Sequence, residues 1–271
     1  MRKPRVIFGI DFSGAQDAGN KIWITKGVSD GEELVIEDCL RARDLLNSGK
    51  DIKLCLAAIV NLVKTNPNAV FGFDFPFGLP ISLVLAKSWQ EFILGFPKKY
   101  KNPEELRKSC RKACNDKELK RETDRESHTP FSPYNLRLFR QTYFGIFSIL
   151  LPLVLGDHAR ILPMQKRAEG KPVILEICPA STLRASGLND HYKGKSKAHR
   201  MARQSILDHL PGSRHFRIRN EQVREKAIEN AGGDALDSII ATTAAFHALN
   251  SNFVPLKENR NFYAIEGYVF V

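Results

Sequence analysis

Five carboxylates lie along this chain where a secondary-structure element should begin or end: Asp11, Asp74, Glu176, Asp234 and Asp237. Each has an ordinary explanation when taken alone. An Asp after Gly232-Gly233 is a common helix cap, and an acid in the first turn complements the helix dipole. As a set they suggest more. Several carboxylates in one cleft repel, so some must protonate unless a cation neutralises them. Hard oxygen donors suit Mg²⁺ or Mn²⁺ rather than a thiolate-loving metal. Two such ions, about 3.5–4 Å apart, activate a water and stabilise the leaving oxygen in phosphodiester hydrolysis.

The elements that must position these acids are legible in outline. Val6-Ile7-Phe8-Gly9-Ile10 reads as a buried strand that delivers Asp11 to a sheet rim, with Ser13-Gly14 opening a turn. Lys21 to Lys26 and Glu33 to Leu40 read as the next strands, and their short connections predict a three-strand antiparallel meander. Ile52 to Lys64 has apolar residues at helical spacing, and Asn66-Pro67 stops it. Ala69 to Asp74 is an apolar run ending in a carboxylate. Reached by a helical crossover, it is expected to lie parallel to the first strand. Asp11 and Asp74 should then share one end of one sheet.

Residues 81–165 are expected to form a basic helical insertion within a single domain spanning 1–271. Its helices are predicted over Ser82 to Leu94, Pro103 to Cys114 and Leu136 to Leu155, the last interrupted at Pro152. Pro172 to Pro179 reads as a short strand carrying Glu176, followed by helices over Ala198 to Leu210 and Glu221 to Asn230. Asp234 and Asp237 lie three apart at the start of a helix running to about Leu249, so their side chains share a face. That face continues through Ala241, Ala244, Ala245 and Ala248, small enough for the helix to lie close against the sheet. The alternation from Phe262 to Val271 predicts one or two more strands.

Composition narrows the partners. The 271 residues carry a formal charge of +11 with 43% hydrophobic and 26% charged residues, the make-up of a folded globular chain rather than a disordered one. The basic surplus favours an anionic partner, nucleic acid first and an acidic small molecule second. Ser13 in the first turn and Arg121, Arg125, Arg137 and Arg140 in the insertion are the candidate nucleic-acid contacts. Five irregularly spaced cysteines read as reduced thiols in a cytoplasmic protein, and no second Cys/His pair joins Cys110 and Cys114 to make a zinc site. Met1 to Pro4 runs straight into a strand and is read as no secretory leader. The most apolar run, Phe144 to Leu155, is too short to span a bilayer, so no membrane partner is expected. Neither a P-loop nor a Gly-x-Ser-x-Gly elbow is present.

The order of elements resembles the ribonuclease H-like superfamily: antiparallel meander, helix, strand, helical insertion, strand, then a helix opening with acids. The acids are placed as in its Holliday-junction resolvases. More closely, four stretches resemble the DUF429 family, described as predicted nucleases of that fold. They are Gly9-Ile10-Asp11-Phe12-Ser13-Gly14, Phe73-Asp74-Phe75-Pro76-Phe77-Gly78-Leu79-Pro80, Leu175-Glu176-Ile177-Cys178-Pro179-Ala180 and Gly233-Asp234-Ala235-Leu236-Asp237-Ser238. Ala264 to Tyr268 is similar to that family's ending. The resemblance implies an α/β fold with a mixed sheet of three antiparallel and further parallel strands, flanked by helices. It implies Asp11, Asp74, Asp234 and Asp237 as ligands of Mg²⁺ or Mn²⁺, two ions in all, with Glu176 as a further catalytic ligand or general base. The expected activity is two-metal hydrolysis of DNA or RNA. Two other functions stay open: a non-catalytic nucleic-acid-binding protein, and an actin- or sugar-kinase-like phosphotransferase.

Overall fold

The computed structural model describes residues 4–188, 191–210, 216–255 and 260–271. Strand β1 (Arg5–Asp11) is followed by a single helical turn, α1 (Ala18–Lys21), then β2 (Trp23–Ser29) and β3 (Leu34–Arg41). The second strand was expected from Lys21; it begins two residues later because residues 18–21 coil, and Trp23 is the residue that pairs with Asp11. Helix α2 (Ile52–Lys64) matches its expected span. Asp51 caps it by accepting from the amides of Lys53 and Leu54. β4 (Val70–Phe73) follows.

The next segment departs from expectation in two places. Residues 81–83 form only a 3-10 turn, and helix α3 (Trp89–Lys99) starts later. The signal for that start is the Ser88 cap, whose Oγ accepts from Glu91 N at 3.2 Å, while the Glu91 carboxylate accepts from Lys87 N at 2.9 Å. α4 (Pro103–Ala113) and the short α5 (Glu122–Glu126) lead to α6 (Phe139–Phe144), a π-type stretch at 145–150 and α7 (Leu151–Leu155). These last three run on as one rod. Pro152 does not break it, because it falls in the first turn after the wider π segment, where a missing N–H is tolerated.

β5 (Arg160–Ile161), β6 (Val173–Ile177), α8 (Pro179–Ala185), α9 (Lys197–His209), β7 (Phe216–Ile218), α10 (Glu221–Glu229) and α11 (Asp234–Asn250) complete the main body. The tail is α12 (Arg260–Glu266) and a two-residue strand, β8 (Val269–Phe270), so the predicted strand forms only in the second half of the span and the first half is helical. Its helix is held by distant partners: the Glu266 carboxylate accepts from the amides of Ile81 at 2.6 Å and Glu122 at 2.7 Å. Gly267, at φ +93°, ends it.

The fold is α/β with a mixed sheet flanked by helices. Among the described residues the strand order is β5-β6-β4-β1-β2-β3-β7, with β8 also on β6. β1, β2 and β3 are antiparallel neighbours, while β4 runs parallel to β1 and β6 parallel to β4. Side chains alternate between the two faces. Phe8, Ile10, Phe71 and Phe73 point to one face and pack with α2 and with Trp89, Phe96, Tyr143 and Ile146. Residues 81–165 therefore share the core of the sheet. Ile7, Val70, Leu175 and Ile177 point to the other face, against Leu236, Ile239, Ile240 and Ala244 of α11.

The α11 face carries a close approach. A Cβ on Gly9 would lie 2.2 Å from Ser238 O and 2.3 Å from Thr242 N, so only glycine lets β1 touch the helix backbone. The small face predicted for α11 lies on the next strand instead: a Cβ on Gly72 would lie 3.0 Å from Ala241 O and 3.3 Å from Ala245 Cβ. No helix among the described residues is long and apolar enough to cross a membrane.

Candidate functional site

The register of the parallel strands settles which acids can meet. Ile10 pairs with Phe73, so Asp11 and Asp74 are the next residues of neighbouring strands. Both occupy the alternation position of the α11 face, and Asp74 N donates to Ile10 O at 3.0 Å, locking the two strand ends together. α11 begins on that same face. Gly233, at φ +81°, turns the chain into the helix, and the first turn presents Asp234 and Asp237. Asp237, Asp74 and Asp234 all come near enough to Asp11 to act on its charge.

Their mutual effect shows in their ionisation. Burial pushes Asp11 well above the ordinary carboxylate range, and Asp237, Asp74 and Asp234 push it further. Burial, then Asp237, raise Asp74 to about 7. Asp234 is also raised, by burial first. Asp11 is 9% exposed, and neither it nor Asp74 has a side-chain hydrogen bond or ion pair among the described residues. These are carboxylates short of a counter-ion.

Asp237 differs from its neighbours because both of its oxygens are engaged. Tyr192 donates its hydroxyl to Oδ1 at 2.5 Å, and Lys193 Nζ lies 2.6 Å from Oδ2. The Lys193 charge also draws Asp11, Asp74 and Asp234 downward, against burial and mutual repulsion. Sequence reasoning missed Tyr192 and Lys193. They sit in a polar, glycine-flanked stretch with no periodicity, so only tertiary contact reveals them.

Glu176 lines the same cleft, as do Arg121 and Asp124, and it raises Asp74, but its carboxylate is held by other partners than the four. It pairs in register with Phe73, one residue short of the level of Asp74, and so points to the opposite face. There it meets Arg121, which is 1% exposed. Arg121 Nη1 donates to Glu176 Oε2 at 2.8 Å and to Glu266 O at 3.0 Å, and Nη2 donates to Glu176 Oε1. Nε and Nη2 also reach Asp124, at 3.0 and 2.7 Å. All the guanidinium donors are used, so Arg121 is a buried tie between the insertion and β6 rather than a surface phosphate contact. Glu176 also accepts from Phe77 N at 2.9 Å, which fixes the turn after Asp74.

The remaining predicted residues divide. Ser13, Arg137 and Arg140 line a cleft of about 560 Å³ together with Asp11, Asp74, Asp234, Lys21 and Lys193. Arg137 lies over the Phe131 ring at 5.3 Å, and Arg140 pairs with Glu104 at 2.6 Å. Arg125 is turned to Glu122, 2.6 Å away, and to Lys120 O, and is not in the cleft wall. Cys178 lines the cleft, but burial and then Asp74 push its thiol up to about 12, so it is no nucleophile near neutral pH.

No family model, no curated protein and no solved structure matches the chain. The site therefore has to be judged on its own chemistry. Among the described residues no three Asp, Glu, His or Cys side chains are already set at metal-ligand spacing. The donor type still fits a hard divalent cation. Asp11 and Asp74 end neighbouring strands, unpaired among the described residues and raised in pKa, and Asp234 lines the same cleft and raises Asp11.

Proposed function

We propose that the chain is a divalent-metal-dependent phosphodiesterase acting on nucleic acid. The observation that carries this reading is the set of under-neutralised aspartates, Asp11, Asp74 and Asp234, opening into a cleft walled by Lys21, Arg137, Arg140 and Lys193. An acid floor with basic walls suits a ligand that brings a phosphate and a cation together. The antiparallel β1-β2-β3 meander with β4 and β6 parallel beside it is the kind of mixed sheet that a ribonuclease H-like resemblance implies, and it is compatible with the same reading.

Asp11 and Asp74 would hold Mg²⁺ or Mn²⁺, which when bound polarises the phosphate and lowers the pKa of an attacking water. The chain's own groups do the rest. Arg137 and Arg140 bind and orient the phosphodiester from the cleft wall, and Ser13 lies at the turn that faces it. Asp234 is placed to accept the proton that the attacking water loses. In the net reaction the water oxygen bonds to phosphorus, the bond from phosphorus to the leaving oxygen breaks, and that oxygen takes up a proton.

The test compares wild type with Asp11→Asn on single-stranded and structured DNA and RNA in the presence of Mn²⁺. Cleavage by the wild type that falls at least about a hundredfold in the variant is expected, since removing a metal ligand removes the transition-state charge stabilisation. Equal cleavage by both would overturn the reading. Nucleic-acid binding with neither cleavage nor Mn²⁺ uptake would make the chain a binding module instead.

A further inference from the structure

A lysine seated among aspartates is an unusual occupant for a site that should take two metal ions. Lys193 reaches Asp237 Oδ2 at 2.6 Å, and its side chain remains 54% exposed while that of Asp237 is 3% exposed. The ammonium thus lies at the inner wall of the cleft with one side toward Asp237 and the other toward solvent.

Its position is built rather than incidental. The buried Arg203 donates to Tyr192 O at 2.6 Å and to Gly194 O at 3.0 Å, clasping the peptide on either side of Lys193. Arg203 is itself tied to Ile228 O at 2.6 Å. Gly194 N donates to Ala231 O at 2.8 Å, which fastens the segment to the residues leading into α11. The Tyr192 hydroxyl fills the other oxygen of Asp237. The same strap that holds Lys193 therefore also holds the carboxylate it neutralises.

We propose that Lys193 is the built-in second cation of the site, so that the chain takes one divalent ion, on Asp11 and Asp74, and uses the Lys193 ammonium where a second ion would stand beside Asp237. This rests on the metal-dependent reading above. Two independent observations support it. Both oxygens of Asp237 already carry a donor, the Tyr192 hydroxyl on Oδ1 and the Lys193 ammonium on Oδ2, so a second metal ion there would have to compete with a fixed cation. Asp11, nine-tenths buried and without a hydrogen-bond or ion-pair partner among the described residues, faces the cleft beside Asp74 and is free for one. A fixed ammonium supplies positive charge to a phosphate oxygen without needing metal saturation. Arg203 is then a positioning residue, acting through the backbone of Tyr192 and Gly194.

The test is the stoichiometry of Mn²⁺ binding by the full chain, read by calorimetry and by the electron paramagnetic resonance signal of free Mn²⁺. Wild type should take up one ion per chain and Lys193→Met two, because Asp237 and Asp234 then lack their fixed counter-ion. Lys193→Arg, which keeps the charge, should stay at one and serves as the control for folding. Two ions bound by wild type, or one or fewer by Lys193→Met, would overturn the proposal. Failure of the wild type to bind any Mn²⁺ is a different result: it removes the metal reading and the lysine's role in it together.

Discussion

Two groups of acids occupy the same end of one sheet, on its two faces, and they have been treated in opposite ways. On the α2 face Glu176, Asp124 and the Glu266 carbonyl surround Arg121, and every donor of that guanidinium has an acceptor. On the α11 face Asp11, Asp74, Asp234 and Asp237 share one lysine in direct contact. The first group is closed and mechanical: it ties the helical insertion and the C-terminal helix to β6. Both groups line the one cleft, but the second is left electrostatically unfinished, with Asp11 and Asp74 unpaired among the described residues. The difference teaches where to look for chemistry. A buried charge that is fully paired holds a fold together, whereas adjacent carboxylates left unpaired are kept at a cost to stability and call for a ligand.

The comparison can be broken first at Arg121. Arg121→Met leaves Glu176 and Asp124 buried without their cation and should lower stability by about 3–5 kcal/mol in urea unfolding. Arg121→Lys should recover little of it, because an ammonium cannot serve two carboxylates in bidentate fashion. A loss under about 1 kcal/mol would mean that the closed group is not the tie described here.

A smaller loss is expected at Gly9→Ala. The added methyl meets backbone atoms of α11, which cannot step aside as a side chain would. Moving the helix should cost about 1–3 kcal/mol and weaken Mn²⁺ binding, since Asp234 and Asp237 travel with it.

Asp74→Asn should have the opposite sign. Asp74 is raised to about 7 in the folded state from an ordinary value of 3.8. The folded chain thus holds a proton that the unfolded chain has lost, and this contribution is fully present below about pH 4 and disappears as pH rises through about 7. Without divalent ions, Asp74→Asn should therefore be more stable than wild type at pH 8, by about 1–3 kcal/mol, and nearly equal to it at pH 4. Thermal unfolding at the two pH values checks this. A variant less stable than wild type at pH 8 would show that the aspartate cluster is already neutralised.

The smallest effect on stability is expected at the cleft wall. The Arg140–Glu104 pair is exposed, at 38% and 62%, so Arg140→Ala should cost about 1 kcal/mol or less. Its effect should appear in nucleic-acid binding, as weaker affinity and a salt dependence reduced by about one phosphate contact. Unchanged binding at several salt concentrations would remove Arg140 from the substrate path.

Much of this arrangement was legible before any coordinates. Hydrophobic runs and stop signals placed β1, β3, β4, β6, α2, α4 and α11, and the small face of α11 foretold its close approach to the sheet, which it makes at Gly72. The parallel pairing of β1 and β4 followed from the crossover, and with it the meeting of Asp11 and Asp74. The starts of β2 and α3 were missed because local signals, the coil at 18–21 and the Ser88 cap, outrank periodicity. The helical half of the tail was missed because Tyr263 and Glu266 owe their places to residues far away in sequence, Glu126, Ile81 and Glu122.

The sequence by itself determined the strand ends that carry carboxylates and the helix face that carries two more, since these depend on neighbours within a few residues. Only the tertiary structure decided which acids are paid for. A shift of one residue in strand register sends Glu176 to the far face, and a strap 44 residues before Asp237 brings Lys193 to it. Register and long-range straps arise from packing of whole elements, so no local pattern encodes them. They divide five similar carboxylates into one structural anchor and four members of a candidate site.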